Sequence, residues 1–265
     1  MSVFINAGEL PKEVRFIDTR FSLTDLSAGH KAYHNGHING AIYWDLNQDL
    51  SDLSSKNGRH PLPSHEKLQK LFEKSGLKQE QVIALYDNGG EPYATRAYWL
   101  LKYAQFPHVY VVNGGFEALQ KAGYAIDTAV PHYPETTLEL KWAPTIYASR
   151  EEVKKIVDGH ISGVLLDARE EFRYRGESEP IDKIAGHIPS ARNYFWAHLK
   201  DEQTLAPTEE LQEIVSKDEQ IVVYCGSGVT ASPIYAALKE AGYEKVKLYV
   251  GSYSDWITAY EIEKS

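Results

Sequence analysis

The sequence predicts two consecutive α/β domains, each built on a central, mostly parallel sheet flanked by helices. Three observations carry this prediction. The chain repeats itself at long period, its short apolar runs lack polar alternation, and those runs alternate with helical patterns.

The repeat is read from five matches in constant order. Phe16-Ile17-Asp18-Thr19-Arg20 resembles Leu165-Leu166-Asp167-Ala168-Arg169, and Gly36-His37-Ile38-Asn39-Gly40-Ala41 resembles Gly186-His187-Ile188-Pro189-Ser190-Ala191. Leu62-Pro63-Ser64 and Ala206-Pro207-Thr208 each precede a helical pattern. Val82 to Asp87 matches Gln220 to Cys225, and Val112-Asn113-Gly114-Gly115-Phe116 matches Tyr249-Val250-Gly251-Ser252-Tyr253. The expected boundaries are a first domain at 1–126, a linker at 127–147 and a second domain at 148–265. Pro131, Pro134 and Pro144 suit a linker running along a surface.

Gly163 to Leu166 and Ile221 to Tyr224 have strand length and no polar alternation, as expected of strands covered on both faces. Leu68, Leu71 and Phe72 recur at helical spacing, as do Leu211, Ile214 and Val215. Ser149 followed by Glu152 reads as a helix N-cap. In sheets of this kind ligands sit beyond the carboxyl ends of the strands.

The 265 residues carry a net charge of −9, which disfavours nucleic acid as a partner. Any site for an anionic substrate must be made locally positive. No apolar run reaches the ~20 residues of a membrane helix, and the N-terminus lacks the pattern of a signal peptide. A cytoplasmic protein with no membrane association is therefore expected.

The chain has one cysteine, Cys225, which excludes an intramolecular disulfide and a cysteine-based structural zinc site. A lone cysteine is often an inert core thiol. Here it ends a strand pattern and precedes Gly226-Ser227-Gly228-Val229-Thr230, after which Ala231 to Leu238 reads as a helix, with Pro233 in its first turn and Gly242 at its end. Two glycines let such a loop turn several backbone N–H groups inward, and the helix N-terminus adds roughly half a positive charge. A thiol at the floor of that cup is expected to fall below its usual pKa of ~8.5. The first copy carries Asp87-Asn88-Gly89-Gly90 at the same place, and a carboxylate cannot act as a sulfur nucleophile. A phosphatase loop needs Cys-x5-Arg, but Ala231 stands where that arginine belongs, so phosphatase and arsenate reductase chemistry are disfavoured.

These residues resemble the tandem-domain rhodanese family, which includes thiosulfate and 3-mercaptopyruvate sulfurtransferases. The resemblance covers nearly the whole chain. It is carried by Asp167-Ala168-Arg169, Arg173-Tyr174-Arg175-Gly176, Glu179-Pro180, Gly186-His187-Ile188-Pro189 and Cys225 to Ala231. It implies two rhodanese-like domains, the first inactive and the second active, with a persulfide on Cys225. Gly226 and Ser227 after the cysteine resemble the mercaptopyruvate branch, whereas thiosulfate-preferring members carry basic residues there. Arg173 matches the arginine that binds the donor carboxylate, and the amides of Gly226, Gly228, Val229 and Thr230 fall on the anion-binding loop. The branch's second arginine is missing from Ile181 to Ala185, where Lys183 is the available cation. Ser227, His60 and Asp49 fall where that branch is discussed as using a Ser–His–Asp relay, with His60 contributed from the first copy.

The function read from this is sulfur transfer from 3-mercaptopyruvate to cyanide, a thiol or thioredoxin. The alternatives are thiosulfate:cyanide transfer and a persulfide carrier with little turnover. No metal or organic cofactor is implied, and a monomer is expected. Duplicated residues such as Asp18/Arg20, Asp167/Arg169, His37 and His187 read as structural.

Overall fold

A computed structural model describes residues 2–265. It divides into two compact units. The first contains the chain up to Asp52, then Pro63–Ala143 and Asp201–Leu205; the second contains Leu53–Leu62, Pro144–Lys200 and Ala206–Ser265.

In the first unit five parallel strands lie in the order Phe4–Ile5, Val109–Val112, Ile83–Tyr86, Arg15–Asp18 and Ile42–Tyr43. In the second unit the order is Val246–Leu248, Ile221–Tyr224, Val164–Asp167 and Arg192–Asn193, again parallel. A parallel bridge from Tyr147 to Leu248 stands where the first unit has its outermost strand. Ile83–Tyr86 and Ile221–Tyr224 are buried at every position, which explains why each reads as an unbroken apolar run. Phe16, Ala84, Tyr86 and Leu119 share one core, and Leu165, Val222, Tyr224 and Trp256 share the other. Each large apolar side chain removed from water contributes about 1.5–3 kcal/mol.

The helices begin where the sequence signals them. Ser64 accepts a hydrogen bond from the Lys67 amide at the head of His65–Lys74, Ser149 from Glu152 at the head of Arg150–Val157, and Thr208 from Leu211 at the head of Glu209–Ile214. The segment after Asp127 has little regular structure and follows the first unit: Tyr133 donates to the Gly40 carbonyl and Thr136 to that of Leu77.

The duplicated polar residues form duplicated networks. Arg20 binds Asp18 and donates to the Gly36 carbonyl at 2.7 Å, and Arg169 binds Asp167 and donates to the Gly186 carbonyl at 2.8 Å. His37 stacks on Tyr33 and His187 on Tyr174, each with a ring nitrogen on the tyrosine's carbonyl. These side chains tie the segment after the helix back to the sheet, in keeping with a structural role. Among the described residues no helix is long and apolar enough to cross a membrane.

Candidate active site

Cys225 lies at the carboxyl end of Ile221–Tyr224, a central strand of the second sheet, and the helix Ala231–Glu240 starts six residues later. The loop between them curls as the glycines require. Gly228 has φ +77°, and a Cβ there would run into the Val250 backbone. The curl aims the Gly228 N–H at Cys225 Sγ, 3.1 Å away. The cysteine is only 1 % exposed, and its sulfur lies against a main-chain amide.

A second turn holds the loop from behind. The amides of Tyr253 and Ser254 donate to the carbonyls of Cys225 and Gly226, both at 3.0 Å. Ser252 accepts from the Cys225 amide at 3.1 Å and donates to the Tyr249 carbonyl at 2.8 Å. It does so with φ +56°, a left-handed conformation that is costly for a residue with a Cβ. The matching residue of the first unit is Gly115, at φ +55°. The repeat alignment contained this signal, a serine against a glycine, but sequence reasoning did not assign Ser252 a role.

Ser227 Oγ lies 2.8 Å from His60 Nδ1. His60 belongs to Leu53–Leu62, which the sequence places in the first copy but which packs into the second unit. The cause is local. The Arg59 amide donates to Ser254 Oγ at 3.1 Å, and Gly58, at φ +100°, passes too close to the Gly251 carbonyl for any side chain to fit.

Arg173 comes from the short helix Glu171–Tyr174. It is buried, and its principal partner is Glu179, six residues further along the chain. Glu179 receives both Nε and Nη2, with Nη2 at 2.8 Å, and also takes Arg169 Nη1 at 3.1 Å. Glu170 lies 3.3 Å from Nη1 and Asp182 3.4 Å from Nη2. Burial opposes the charged form of Glu179, but bonds from Arg173 and from the Asp182 and Ile181 amides hold its carboxyl below the usual range. Burial raises the Asp182 carboxyl even though Arg59 and Arg173 favour its charge. Arg59 pairs with the other oxygen of Asp182.

The structure therefore gathers Cys225, Gly226, Ser227, Gly228, His60 and Arg173 in the second unit. Val229 is buried in the same loop, and Thr230 immediately precedes the helix without a side-chain bond to its amides. Lys183 is exposed and has no ion pair among the described residues. Asp49 belongs to the first unit, where its carboxylate accepts from the Asp45 amide at 2.8 Å and is raised, chiefly by burial.

The first unit has the same loop with a different occupant. Asp87 follows the strand Ile83–Tyr86, and its carboxylate accepts from the Gly89 amide at 2.8 Å and the Ala94 amide at 3.1 Å. Burial pushes its pKa up to about 7 against those amides.

Two parallel-sheet units of one design, one of them carrying a cysteine against a loop amide, define a duplicated domain with a single thiol site. The rhodanese-like domain profile matches residues 6–122 and again 149–259, and the chain belongs to the rhodanese family. It is 37% identical over 260 residues to a probable 3-mercaptopyruvate sulfurtransferase of Pseudomonas aeruginosa, covering 91% of this chain and 88% of that one. The structure of 3-mercaptopyruvate sulfurtransferase from Leishmania major superposes with a TM-score of 0.85 at 27% identity, covering 98% of this chain and 75% of that one. SseA from Escherichia coli, described among the 3-mercaptopyruvate sulfotransferases, gives 0.81 at 30% identity, with 96% and 100% covered. The protein is a sulfurtransferase with two rhodanese domains.

Proposed function

We propose that the protein moves sulfur from 3-mercaptopyruvate to a thiophilic acceptor through a persulfide on Cys225. The observation that carries this reading is the Gly228 N–H pointing at Sγ from 3.1 Å in a loop at a strand's carboxyl end. An amide in that position stabilises negative charge on sulfur, first on the thiolate and then on the persulfide.

In the first half-reaction the thiolate attacks the donor's sulfur. The S–S bond forms as the donor's C–S bond breaks, and the electron pair of that bond passes into the enolate of pyruvate. Ser227 and His60, 2.8 Å apart, supply the proton that the enolate needs. Arg173 attracts the donor carboxylate. In the second half-reaction the acceptor attacks the terminal sulfur and releases Cys225 as thiolate. Cyanide serves as acceptor in vitro, and a thiol or reduced thioredoxin in the cell. Relatives named for 3-mercaptopyruvate support that donor, beside others named as putative thiosulfate sulfurtransferases, and the absence of a basic residue at Gly226 and Ser227 supports it further.

Steady-state assays with cyanide as acceptor test the donor. The expected result is a larger kcat/KM for 3-mercaptopyruvate than for thiosulfate, with pyruvate and thiocyanate released in equal amounts. A larger value for thiosulfate would overturn the donor assignment.

A further inference from the structure

Away from the thiol site, two side chains of the first unit turn like nitrogens towards each other. His30 and His34 lie one turn apart on the helix Ala28–Asn35, and their Nε2 atoms are separated by 3.3 Å. Residues four apart share one face of a helix, so the two rings point the same way. Both side chains are exposed, so an ion in solution can reach them.

We propose that His30 and His34 chelate a late first-row divalent metal ion (zinc, nickel or copper) on the surface of the first unit. The first support is the bite of the pair. Two imidazole nitrogens bound to one tetrahedral zinc at about 2.0–2.1 Å stand about 3.3 Å apart, which is the separation here. As a hydrogen bond the contact is long, and it needs opposite tautomers on two rings that water can solvate.

The second support is that the rings are held in place. His30 meets Tyr43 edge-on with ring centroids 5.9 Å apart, and His34 meets Tyr33 edge-on at 5.6 Å. Both tyrosines are fixed in turn. Tyr33 donates to the Ala41 carbonyl at 2.7 Å, and Tyr43 to the Arg20 carbonyl at 3.1 Å. Ligands already facing each other lose little freedom on binding. The third support is charge. Lys31, the one lysine of the helix, pairs with Asp25 at 3.7 Å. The donor set then chooses the ion, because imidazole suits zinc, nickel and copper, whereas magnesium and calcium take oxygen ligands.

His37 is not a third ligand. It is buried, with Nδ1 on the Tyr33 carbonyl at 2.8 Å and Nε2 on the Ala129 carbonyl at 3.2 Å. Among the described residues no group of three or more histidine, cysteine or acidic side chains could hold a metal. The site is therefore a two-ligand chelate with its remaining positions left to water. Chelation closes one turn of an eight-residue helix, a length that is marginal without support. The unfolded chain does not hold the two rings together, so the ion stabilises the folded first unit by mass action.

The test is calorimetric titration of nickel(II) chloride into the untagged full chain. The wild type should bind one ion at its tightest site, and His30→Gln or His34→Gln should weaken that site about tenfold or more, since each leaves a single imidazole. His160→Gln, at an exposed histidine of the second unit, should leave the affinity unchanged. All four proteins keep Cys225, so binding at the thiol is common to the series. Saturating nickel should also raise the melting temperature of the wild type by about 3 °C or more. That rise should vanish in His30→Gln and His34→Gln, whose metal-free melting temperatures should stay close to that of the wild type. Wild-type affinity in both variants, or a nickel-dependent rise that persists in them, would overturn the site.

Discussion

The two units place different acidic side chains in the same loop. In the first, the Asp87 carboxylate takes the Gly89 and Ala94 amides; in the second, the Cys225 sulfur takes the Gly228 amide. Behind each loop the same carbonyl is held the same way, by Phe116 on Asp87 at 2.9 Å and by Tyr253 on Cys225 at 3.0 Å. The supports differ at the left-handed position that follows, which is Gly115 in one unit and Ser252 in the other. A strand ending in a loop that turns amides onto its first side chain is thus a shared scaffold, and its chemistry depends on which side chain occupies it. An aspartate there is hydrogen-bonded in place and has no sulfur to attack with, whereas a cysteine there can attack.

The largest expected effect concerns two groups that meet only in the second unit. Ser227→Ala or His60→Ala should slow turnover of 3-mercaptopyruvate by about 10²–10⁴ if the pair delivers the enolate proton. Thiosulfate, whose leaving group needs no proton on carbon, should be affected far less. Equal losses with the two donors would mean that the pair only shapes the loop.

Ser252→Gly makes the second loop's support like the first's. It relieves left-handed strain but removes the bond to the Cys225 amide, so kcat/KM should fall about tenfold while the melting temperature changes little. Unchanged activity would show that this serine is a passive substitute for glycine.

The Asp87 loop sharpens the comparison through pH. Its folded-state pKa is raised from 3.8 to about 7, so the folded first unit binds this proton more tightly than the unfolded chain does. The associated stability is fully present below 3.8 and is lost as pH rises through about 7. Asp87→Asn removes that dependence. Apart from a pH-independent offset for the lost acceptor, the variant should gain on the wild type between pH 4 and 7 by at most about 4 kcal/mol. Denaturation curves at several pH values check this, and parallel curves for the two proteins would contradict it.

The smallest effect is expected at Lys183. Its ammonium is in solvent, so Lys183→Ala should change KM by less than about twofold. A larger increase would restore the role that the sequence suggests for it.

Much of this was legible in the sequence because it is local or duplicated. Ile221–Tyr224, the glycine loop after Cys225 and the caps at Ser64, Ser149 and Thr208 are each written within a few consecutive residues. The Asp–Arg pairs at 18/20 and 167/169 were legible because a feature present in both copies points to the fold. The charge network around Arg173 was not. Its near neighbours in sequence are Glu170, Glu171 and Glu177, but its strongest partner is Glu179, which the turn after the helix brings back onto the guanidinium. The seat of Arg59 and His60 was hidden for a different reason. They lie in the first copy by sequence, and only the Gly58 turn against Gly251 and Ser254 seats them in the second unit.

The most direct test of the account is the mass of the intact protein after exposure to 3-mercaptopyruvate. The wild type should gain one sulfur atom, lose it on addition of cyanide, and fail to gain it when Cys225 is replaced by serine. A Cys225→Ser variant that still takes up and transfers sulfur, or a wild type that turns over while its mass never changes, would contradict it.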